Sequence, residues 1–205
     1  MAKTDLKQAL KHLYSPSKKE FTIVDVPPMN FLMIDGHGDP NNNPEFQEMV
    51  GALYAMSYTL KFAIKKAGGQ DFTVQPLEGL WWTSGETGLD LTDKREWDWT
   101  VMIMQPDWVT PEQVEQARAE VAAKRNPPLL PRVRFERYHE GLSVQILYLG
   151  AYSDEGPTIL RMHAFAREQG YELRGKHHEI YIGDPRRTAP EKLKTVIRQP
   201  IRKRE

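Results

Sequence analysis

The sequence predicts an α+β fold of two repeated β-α-β-β modules, with antiparallel sheets, helices on one side and a ligand cleft between the repeats. Three observations support this prediction. Short runs rich in β-branched and aromatic residues alternate with longer runs of helical periodicity. The order strand, glycine turn, helix, strand, strand occurs once in each half. Nine positions separate Gly69 from Glu78 in the first half, and nine separate Gly170 from Glu179 in the second.

The first half contains one module behind a short helix. Leucines at i, i+4 and i+7 predict an amphipathic helix over residues 4–14. Strand-like runs follow at Phe21–Val26 and Phe31–Ile34. Asn43 precedes a proline and an acid, which is typical of a helix start, and the helical stripe that follows ends at Gly69. Two further strands, Leu77–Thr83 and Trp97–Gln105, complete the module.

The second half repeats this order after a helix that runs from Thr110 to about Arg125. Arg132–Tyr138 and Ser143–Leu149 are joined by three residues that include a glycine, which predicts a β-hairpin. A helix opens at Pro157, and two strands follow it, one around Glu179 and one at Thr195–Ile201.

We expect the whole chain to form one domain. Its predicted parts are an N-terminal extension at 1–20, a first repeat at about 21–126 and a second repeat at about 132–205. Identities between the halves are few, so chance spacing stays open as an alternative to duplication. Where two such sheets meet, a cleft is a usual place for a ligand pocket.

Composition narrows the function classes. Lys and Arg total 28, as do Asp and Glu, so the formal net charge is zero, whereas a dedicated nucleic-acid binder carries a basic excess. The absence of cysteine excludes disulfides and thiolate metal sites. No apolar run reaches transmembrane length and no signal peptide opens the chain, so a soluble cytoplasmic protein is expected. We expect no cofactor and no metal, and the sequence leaves the oligomeric state open.

One strand, His177–Ile182, places a glutamate among apolar and aromatic residues. Because side chains alternate along a strand, His177, Glu179 and Tyr181 share one face, and His178 lies on the other with two isoleucines. If helices cover one side of the sheet, the isoleucine face belongs to the core. Glu179 then faces outward or into a cavity, where a carboxylate among rings suits a cationic aromatic ligand or acid/base chemistry. An ordinary exposed glutamate beside a packed tyrosine is the alternative.

Other residues are weaker candidates for the same pocket. Glu78 is the counterpart of Glu179 by spacing, and Trp82 shares its face. Tyr148 lies in the strand before the second glycine turn, and Trp99 and Met104 belong to stripes of rings and thioethers that adapt to varied ligands. Such stripes are nevertheless core more often than pocket. The adjacent pair at His177 does not predict a metal site, since neighbouring strand residues point apart.

Four segments carry a resemblance to a known family. They are Asp5–Lys7 with Leu13 and Tyr14, the stretch 31–40, the stretch 77–82, and the long stretch 177–195. Together they resemble the GyrI-like family of small-molecule-binding proteins, which is built on a duplicated β-α-β-β module. The resemblance implies that the carboxylate at Glu179 lies in the pocket and meets cationic, often aromatic, ligands. Some relatives are fused to DNA-binding regulators, but only about 20 residues precede the first strand here, too few for a helix-turn-helix module.

Three functions remain open from the sequence. The leading hypothesis is multispecific binding of cationic or amphipathic aromatic drugs, with a possible part in drug resistance. The first alternative, which the resemblance implies, is hydrolysis of cyclopropane-bearing electrophilic natural products. In that case Glu179 activates water, assisted by Tyr181 and His177. The second alternative is a module that binds and regulates another protein. We expect small-molecule partners and neither nucleic acid nor membrane.

Overall fold

The structure is a computed structural model that describes residues 3–84, 89 and 91–204. The helices are α1 (Leu6–Ala9), α2 (Lys11–Tyr14), α3 (Pro44–Lys66), α4 (Pro111–Lys124) and α5 (Gly156–Glu168). The strands are β1 (Thr22–Val26), β2 (Met29–His37), β3 (Leu77–Thr83), β4 (Trp97–Gln105), β5 (Arg134–Tyr138), β6 (Gly141–Leu149), β7 (Tyr171–Leu173), β8 (His177–Tyr181) and β9 (Lys194–Lys203). Single 3₁₀ turns lie at Lys94–Glu96, Leu130–Arg132, Tyr152–Asp154 and Pro190–Lys192.

The described strands form one antiparallel sheet whose order is symmetric about its middle. The order is β1-β6-β9-β8-β3-β4-β2-β5, with β7 paired to β9. In each half, the strand before the long helix is next to the last strand of that half, and the middle strands β8 and β3 pair with each other. This is the order that two β-α-β-β modules require, although the duplication of the sequence itself stays a prediction. We call the β3–β8 pair the seam.

The predicted hairpin between β5 and β6 is wrong. β5 pairs with β2, and β6 pairs with β1 and β9, so each predicted repeat gives its first strand to the other half. Two residues separate β5 from β6 and two separate β1 from β2, which brings the edge strands β1 and β5 near each other and curls the sheet. Glu140 lies in the link between β5 and β6, and its side chain is buried against His178 and Arg198. This burial explains why the link carries the chain from one half of the sheet to the other instead of forming a hairpin turn.

The outer face of the curled sheet carries the three long helices. The side chains of Met49, Leu53 and Met56 on α3 pack on β4 and β2, and α4 packs beside α3. Ile159 and Met162 of α5 pack on β6 and β9 in a separate cluster. α3 begins where Asn43 accepts a hydrogen bond from the Glu45 amide and a proline occupies the first turn.

The inner face is closed by α1 and α2, into which the predicted helix 4–14 divides. Their side chains pack on an apolar cluster that includes Ile180 and both methionines of β4. A fully buried polar chain crosses this cluster. Tyr14 Oη donates to Glu78 Oε1 at 2.7 Å, and His178 lies between Glu78 and Glu140 at 2.9 Å from each. Arg198 pairs with the same Glu140 oxygen at 3.0 Å. Two carboxylates therefore face two cationic groups, as a buried charge requires.

The predicted α+β class and antiparallel strand pairing are confirmed. The two expected sheets are joined into one, because β3 pairs with β8, and a ligand cleft between the repeats stays a prediction. The expectation that helices lie on one side holds for the three long helices, while α1 and α2 occupy the other face. Within the described ranges, no helix has both the length and the apolar character needed to cross a bilayer.

Candidate functional site

Glu179 lies at the seam, on the outer face of the sheet. In the neighbouring strands it is opposite Gly79 and Ile197, and 13% of its side chain is exposed. Tyr181 Oη donates a hydrogen bond to Glu179 Oε2 at 2.8 Å, and His177 Nε2 lies 3.4 Å from Oε1. The three residues that alternation places on one face therefore meet at one carboxylate.

Ile180 is a core residue, as predicted, but its core is the inner cluster with Tyr14 and Met102 and not the one under the long helices. Tyr181 instead packs against the outer cluster to which α3 belongs. The reason is that both faces of β8 are buried, so alternation separates the two sets of side chains but does not say which set meets the long helices.

A second carboxyl group lies beside Glu179. Glu155 stands at the start of α5, where its side chain makes no cap hydrogen bond and is only 2% exposed. Burial, and then the negative charge of Glu179, raise the pKa of Glu155 to about 9, although the Thr195 hydroxyl and the Lys94 ammonium act in the opposite direction. At neutral pH the two carboxyl groups therefore hold one proton, on Glu155, and one negative charge.

Aromatic side chains surround the carboxyl pair. The Tyr152 ring meets the Tyr181 ring edge to face, with 5.3 Å between centroids. Burial and the nearby carboxylates raise the pKa of Tyr152 to about 12 and that of Tyr181 well above its ordinary range, so both hydroxyls keep their protons. The Trp81 indole folds over Gly79, since a Cβ there would lie 2.7 Å from Trp81 Nε1. Gly79 thus lets the Trp81 ring lie next to the strand position of Glu179.

Two buried histidines extend the site beneath α5. The rings of His163 and His177 are 6.5 Å apart and nearly perpendicular. Burial, followed by the neighbouring His177 and Arg167, lowers the pKa of His163 to about 4, which keeps it neutral. Neither nitrogen of His177 makes a hydrogen bond with the described residues. The His177 ring therefore lies beside Glu179 with both nitrogens unused by the described residues.

The structure brings some of the sequence-predicted residues together on the outer face. Tyr148 is opposite Thr195 in β9, which is itself opposite Tyr181 in β8, and the charge of Glu155 contributes, after burial, to raising the pKa of Tyr148. Trp99 shares this face but is fully buried, and its indole donates to the Gly38 carbonyl at 2.9 Å. Tyr148 therefore lies near the carboxyl pair, whereas Trp99 is a core residue of the first half.

The other predicted residues lie on the inner face. Glu78 is fully buried in the polar chain, and Met104 accepts a hydrogen bond from Tyr14 at 3.4 Å. The ammonium of Lys176 lies 3.5 Å from the ring centroid of Trp82. Because the sheet separates the two faces, Glu78, Trp82 and Met104 cannot share a ligand with Glu179.

Sequence reasoning missed Glu155, Tyr152 and Trp81. Glu155 precedes a helix that starts with a proline, and an acid at such a position ordinarily caps the helix backbone. The sequence pattern therefore did not indicate that the Glu155 side chain lies beside Glu179. Trp82 was predicted in place of its neighbour Trp81. The equal spacing of Glu78 and Glu179 indicated that the two glutamates share a face, and Trp82 lies on the face of Glu78. The two glutamates do not share a face, since Glu78 is opposite Ile180 in the seam.

The arrangement provides groups for acid/base chemistry. One carboxyl group carries a proton and its neighbour carries charge, which is the separation of roles that general acid and base catalysis needs. Among the residues that the structure describes, no group of three or more histidine, aspartate or glutamate side chains is placed to hold a metal ion.

Comparisons with known proteins extend over nearly the whole chain. The family model of the GyrI-like small molecule binding domain matches residues 19–202. Similar solved structures include an uncharacterized conserved protein from Listeria innocua, with 41% identity and a TM-score of 0.90. Two structures of hydrolases from the same organism have identities of 40% and 38% and TM-scores of 0.87 and 0.85. Each alignment covers 98% of this chain and 100% of the other. Among curated proteins, none matches the chain.

Proposed function

Because the chain belongs to the family of GyrI-like small molecule binding domains, we propose that it binds a small organic molecule at the seam and hydrolyses it. The observation that carries this proposal is the proton-sharing carboxyl pair of Glu155 and Glu179. A site that only binds needs one charge for a cation, whereas a protonated and an ionised carboxyl group side by side supply both an acid and a base.

The substrate class that we propose is an electrophilic cyclopropane conjugated to a carbonyl group. Glu179 accepts a proton from water while the water oxygen bonds to a ring carbon. The carbon–carbon bond opens, and its electron pair moves into the conjugated carbonyl, whose oxygen takes a proton from Glu155. A positioned acid or base contributes roughly 10²–10⁴-fold in rate, and the aromatic rings hold the flat part of the substrate.

The same pair restores itself after each turnover. When the reaction ends, Glu179 holds the proton and Glu155 the charge, which is the reverse of the resting state. Because the two carboxyl groups are adjacent, the proton returns without passing through solvent. The Tyr181 hydroxyl, which donates to Glu179, keeps that carboxylate oriented during both steps.

The comparisons support this proposal over simple binding. Two of the solved structures that align with the full chain at 38–40% identity are described as hydrolases. Because the fold alone does not determine activity, the Glu155–Glu179 pair is still the observation on which the proposal depends.

The test is direct turnover. The protein is incubated with a cyclopropyl dienone in H₂¹⁸O. The ring-opened product is separated by chromatography, and its ¹⁸O content is measured by mass spectrometry. We expect one ¹⁸O per product molecule and a loss of about 100-fold or more in Glu179→Gln. Glu191→Gln, at an exposed acid, serves as the matched control. No product above the rate without protein rejects the hydrolase.

A second candidate, binding of cationic aromatic drugs, is favoured by a different observation. The pair keeps one negative charge, and the rings of Tyr152 and Tyr181 lie beside it. Rings and a carboxylate together recognise a delocalised cation. If a rhodamine-type dye binds and Glu179→Gln abolishes the binding while no substrate turns over, sequestration or sensing is the function. A role in drug resistance, a cytoplasmic location and independence from nucleic acid stay predictions.

A further inference from the structure

A trough on the outer side of α3 provides a second place where a small molecule can bind. Its volume is about 420 Å³, within the range of roughly 300–1,000 Å³ that small-ligand pockets occupy. The described residues that line it are Gly51, Tyr54, Ala55, Tyr58, Thr59 and Phe62 of α3, and Val121, Lys124 and Arg125 at the end of α4. The carboxyl pair is not part of this lining.

One wall of the trough is a ladder of aromatic rings. Tyr54, Tyr58 and Phe62 follow one another at i, i+4 and i+8, so they lie on one side of the helix. Their centroids are 6.3 Å and 6.4 Å apart, with interplanar angles of 30° and 23°. Tyr58 and Phe62 are 48% and 57% exposed. Exposed rings that are contiguous, rather than scattered singly, indicate a binding surface.

The floor and the opposite wall add shape and charge. Gly51 leaves open space, since a Cβ at this position would meet no atom within 4 Å. Both charged residues among the described lining, Lys124 and Arg125, are cations. Lys124 pairs with the exposed Glu120, whereas Arg125 forms no ion pair with any residue in the described ranges of the chain. A guanidinium that pairs with no described residue and lies beside stacked rings suits an anion on a flat aromatic body.

We propose that this trough binds planar aromatic anions, such as aromatic carboxylates or sulfonates. The rings stack on the flat body, and Arg125 and Lys124 pair with the acidic group. This chemistry is opposite in charge to that of the Glu155–Glu179 pair, which repels anions. The proposal is therefore independent of the proposed hydrolase activity, and either can fail without the other.

Calorimetry with three naphthalene probes tests the charge preference. We expect 2-naphthalenesulfonate to bind with a dissociation constant below about 1 mM, as for a ligand with few heavy atoms. The matched 2-naphthylmethanol and 2-naphthylmethylammonium should bind at least about threefold more weakly, because they lack the anion that Arg125 attracts. No detectable binding of the sulfonate, or equal binding of the ammonium, overturns the proposal.

Variants test the location. Gly51→Phe places a ring in the trough from a position where a Cβ meets no atom within 4 Å, and we expect it to weaken binding of the sulfonate by at least about tenfold. Arg125→Gln should weaken it by up to about fivefold, and Phe62→Ala by about threefold or more. Leu160→Ala removes an exposed apolar side chain on α5 and should change nothing. Unaltered affinity in Gly51→Phe, or loss of affinity in Glu179→Gln, overturns the assignment to this trough.

Discussion

The carboxyl group of Glu155, at the start of α5, lies against that of Glu179, in the middle of β8, and the two hold a single proton. Two adjacent carboxyl groups that are buried cannot both ionise at low cost in free energy. Burial and the charge of Glu179 raise the pKa of Glu155 to about 9, while Glu179 accepts a hydrogen bond from Tyr181, so Glu155 is the group that keeps the proton. The division of roles between the two acids follows from their unequal partners.

Glu155→Gln should separate the two roles. The amide keeps the size of the side chain but cannot give up a proton, so we expect kcat/KM for the cyclopropyl dienone to fall by about 100-fold. In the wild type, activity should decline above a pH of about 9, where Glu155 ionises. This decline, the alkaline limb of the pH profile, should be absent in the variant. Asp154→Asn, at the exposed neighbouring acid, is the control. A variant that keeps the alkaline limb would show that another group supplies the proton.

The same substitution has a consequence for stability. The pKa of Glu155 is raised from 4.5 to about 9 on folding, so folding takes up a proton between these values. The contribution of this group to the free energy of unfolding is fully present below pH 4.5 and is lost as the pH rises to 9. Glu155→Gln removes that loss. We therefore expect the free energy of unfolding of the variant, measured by urea denaturation, to increase relative to that of the wild type as the pH rises from 5 to 9. Parallel pH profiles would contradict the burial of an ionisable Glu155.

The inner polar chain should also make stability depend on pH, at both ends of the range. Glu140 and Arg198 face His178, and the pKa of His178 is raised to about 9, by the charge of Glu140 first and against burial, while the same contacts lower that of Glu140 to about 2. The contribution of His178 is complete below pH 6.5 and is lost toward 9. That of Glu140 is complete above pH 4.5 and is lost toward 2. The contribution of His178 and Glu140 together to the free energy of unfolding should therefore be greatest between pH 4.5 and 6.5.

His178→Leu tests the same chain by removing its centre. The variant leaves the carboxylates of Glu78 and Glu140 buried with no cation between them, and we expect a loss of about 3–5 kcal/mol in the free energy of unfolding. Equilibrium denaturation in urea at pH 6 measures it. His37→Gln, at an exposed histidine that pairs with Asp98, should cost less than about 1 kcal/mol. A similar small cost for His178→Leu would mean that the buried chain is not charged.

The sequence predicted the site where local alternation was enough and failed where partners come from afar. His177, Glu179 and Tyr181 were assigned to one face because successive strand residues point to opposite sides, and His177 and Tyr181 both contact the carboxylate of Glu179. Glu78 was grouped with Glu179 because both lie nine residues after a glycine. The register of the seam, Glu78 opposite Ile180, is set by contacts between the halves that equal spacing does not contain.

The fold was likewise predicted only as far as local signals reach. Elements and class follow from periodicity and turn residues, and the long helix began at Asn43 and Pro44 as its capping pattern indicated. The hairpin failed because the short link after Tyr138 resembles a turn, while the burial of Glu140 against Arg198 takes the chain across to the other half. That burial depends on a residue 58 positions away in the sequence.

Gly79→Ala should disturb the site through Trp81 rather than through Glu179 directly. A Cβ at position 79 would lie 2.7–2.8 Å from the Trp81 ring, closer than van der Waals contact allows, so the ring must move away from the seam. We expect overpacking to lower the free energy of unfolding by about 1–3 kcal/mol. We also expect kcat/KM to fall under conditions in which the variant is still fully folded. Gly51→Ala, where space is open, should instead stabilise α3 by up to about 1 kcal/mol. Unchanged turnover in Gly79→Ala would remove Trp81 from the site.

Binding of a cation at the seam should release the proton of the carboxyl pair. A unit positive charge about 4 Å from Glu155 contributes roughly 4 kcal/mol at the effective dielectric of a protein, or about three pKa units. Since the pKa of Glu155 is about 9 before binding, the bound cation brings it below 7. Titration with a rhodamine-type monocation at pH 7 should therefore release close to one proton, measured as a slope of binding enthalpy against the ionisation enthalpy of the buffer. Affinity should rise with pH up to about 9. Glu155→Gln should bind without proton release, and a wild-type enthalpy that does not depend on the buffer would mean that the cation meets Glu179 alone.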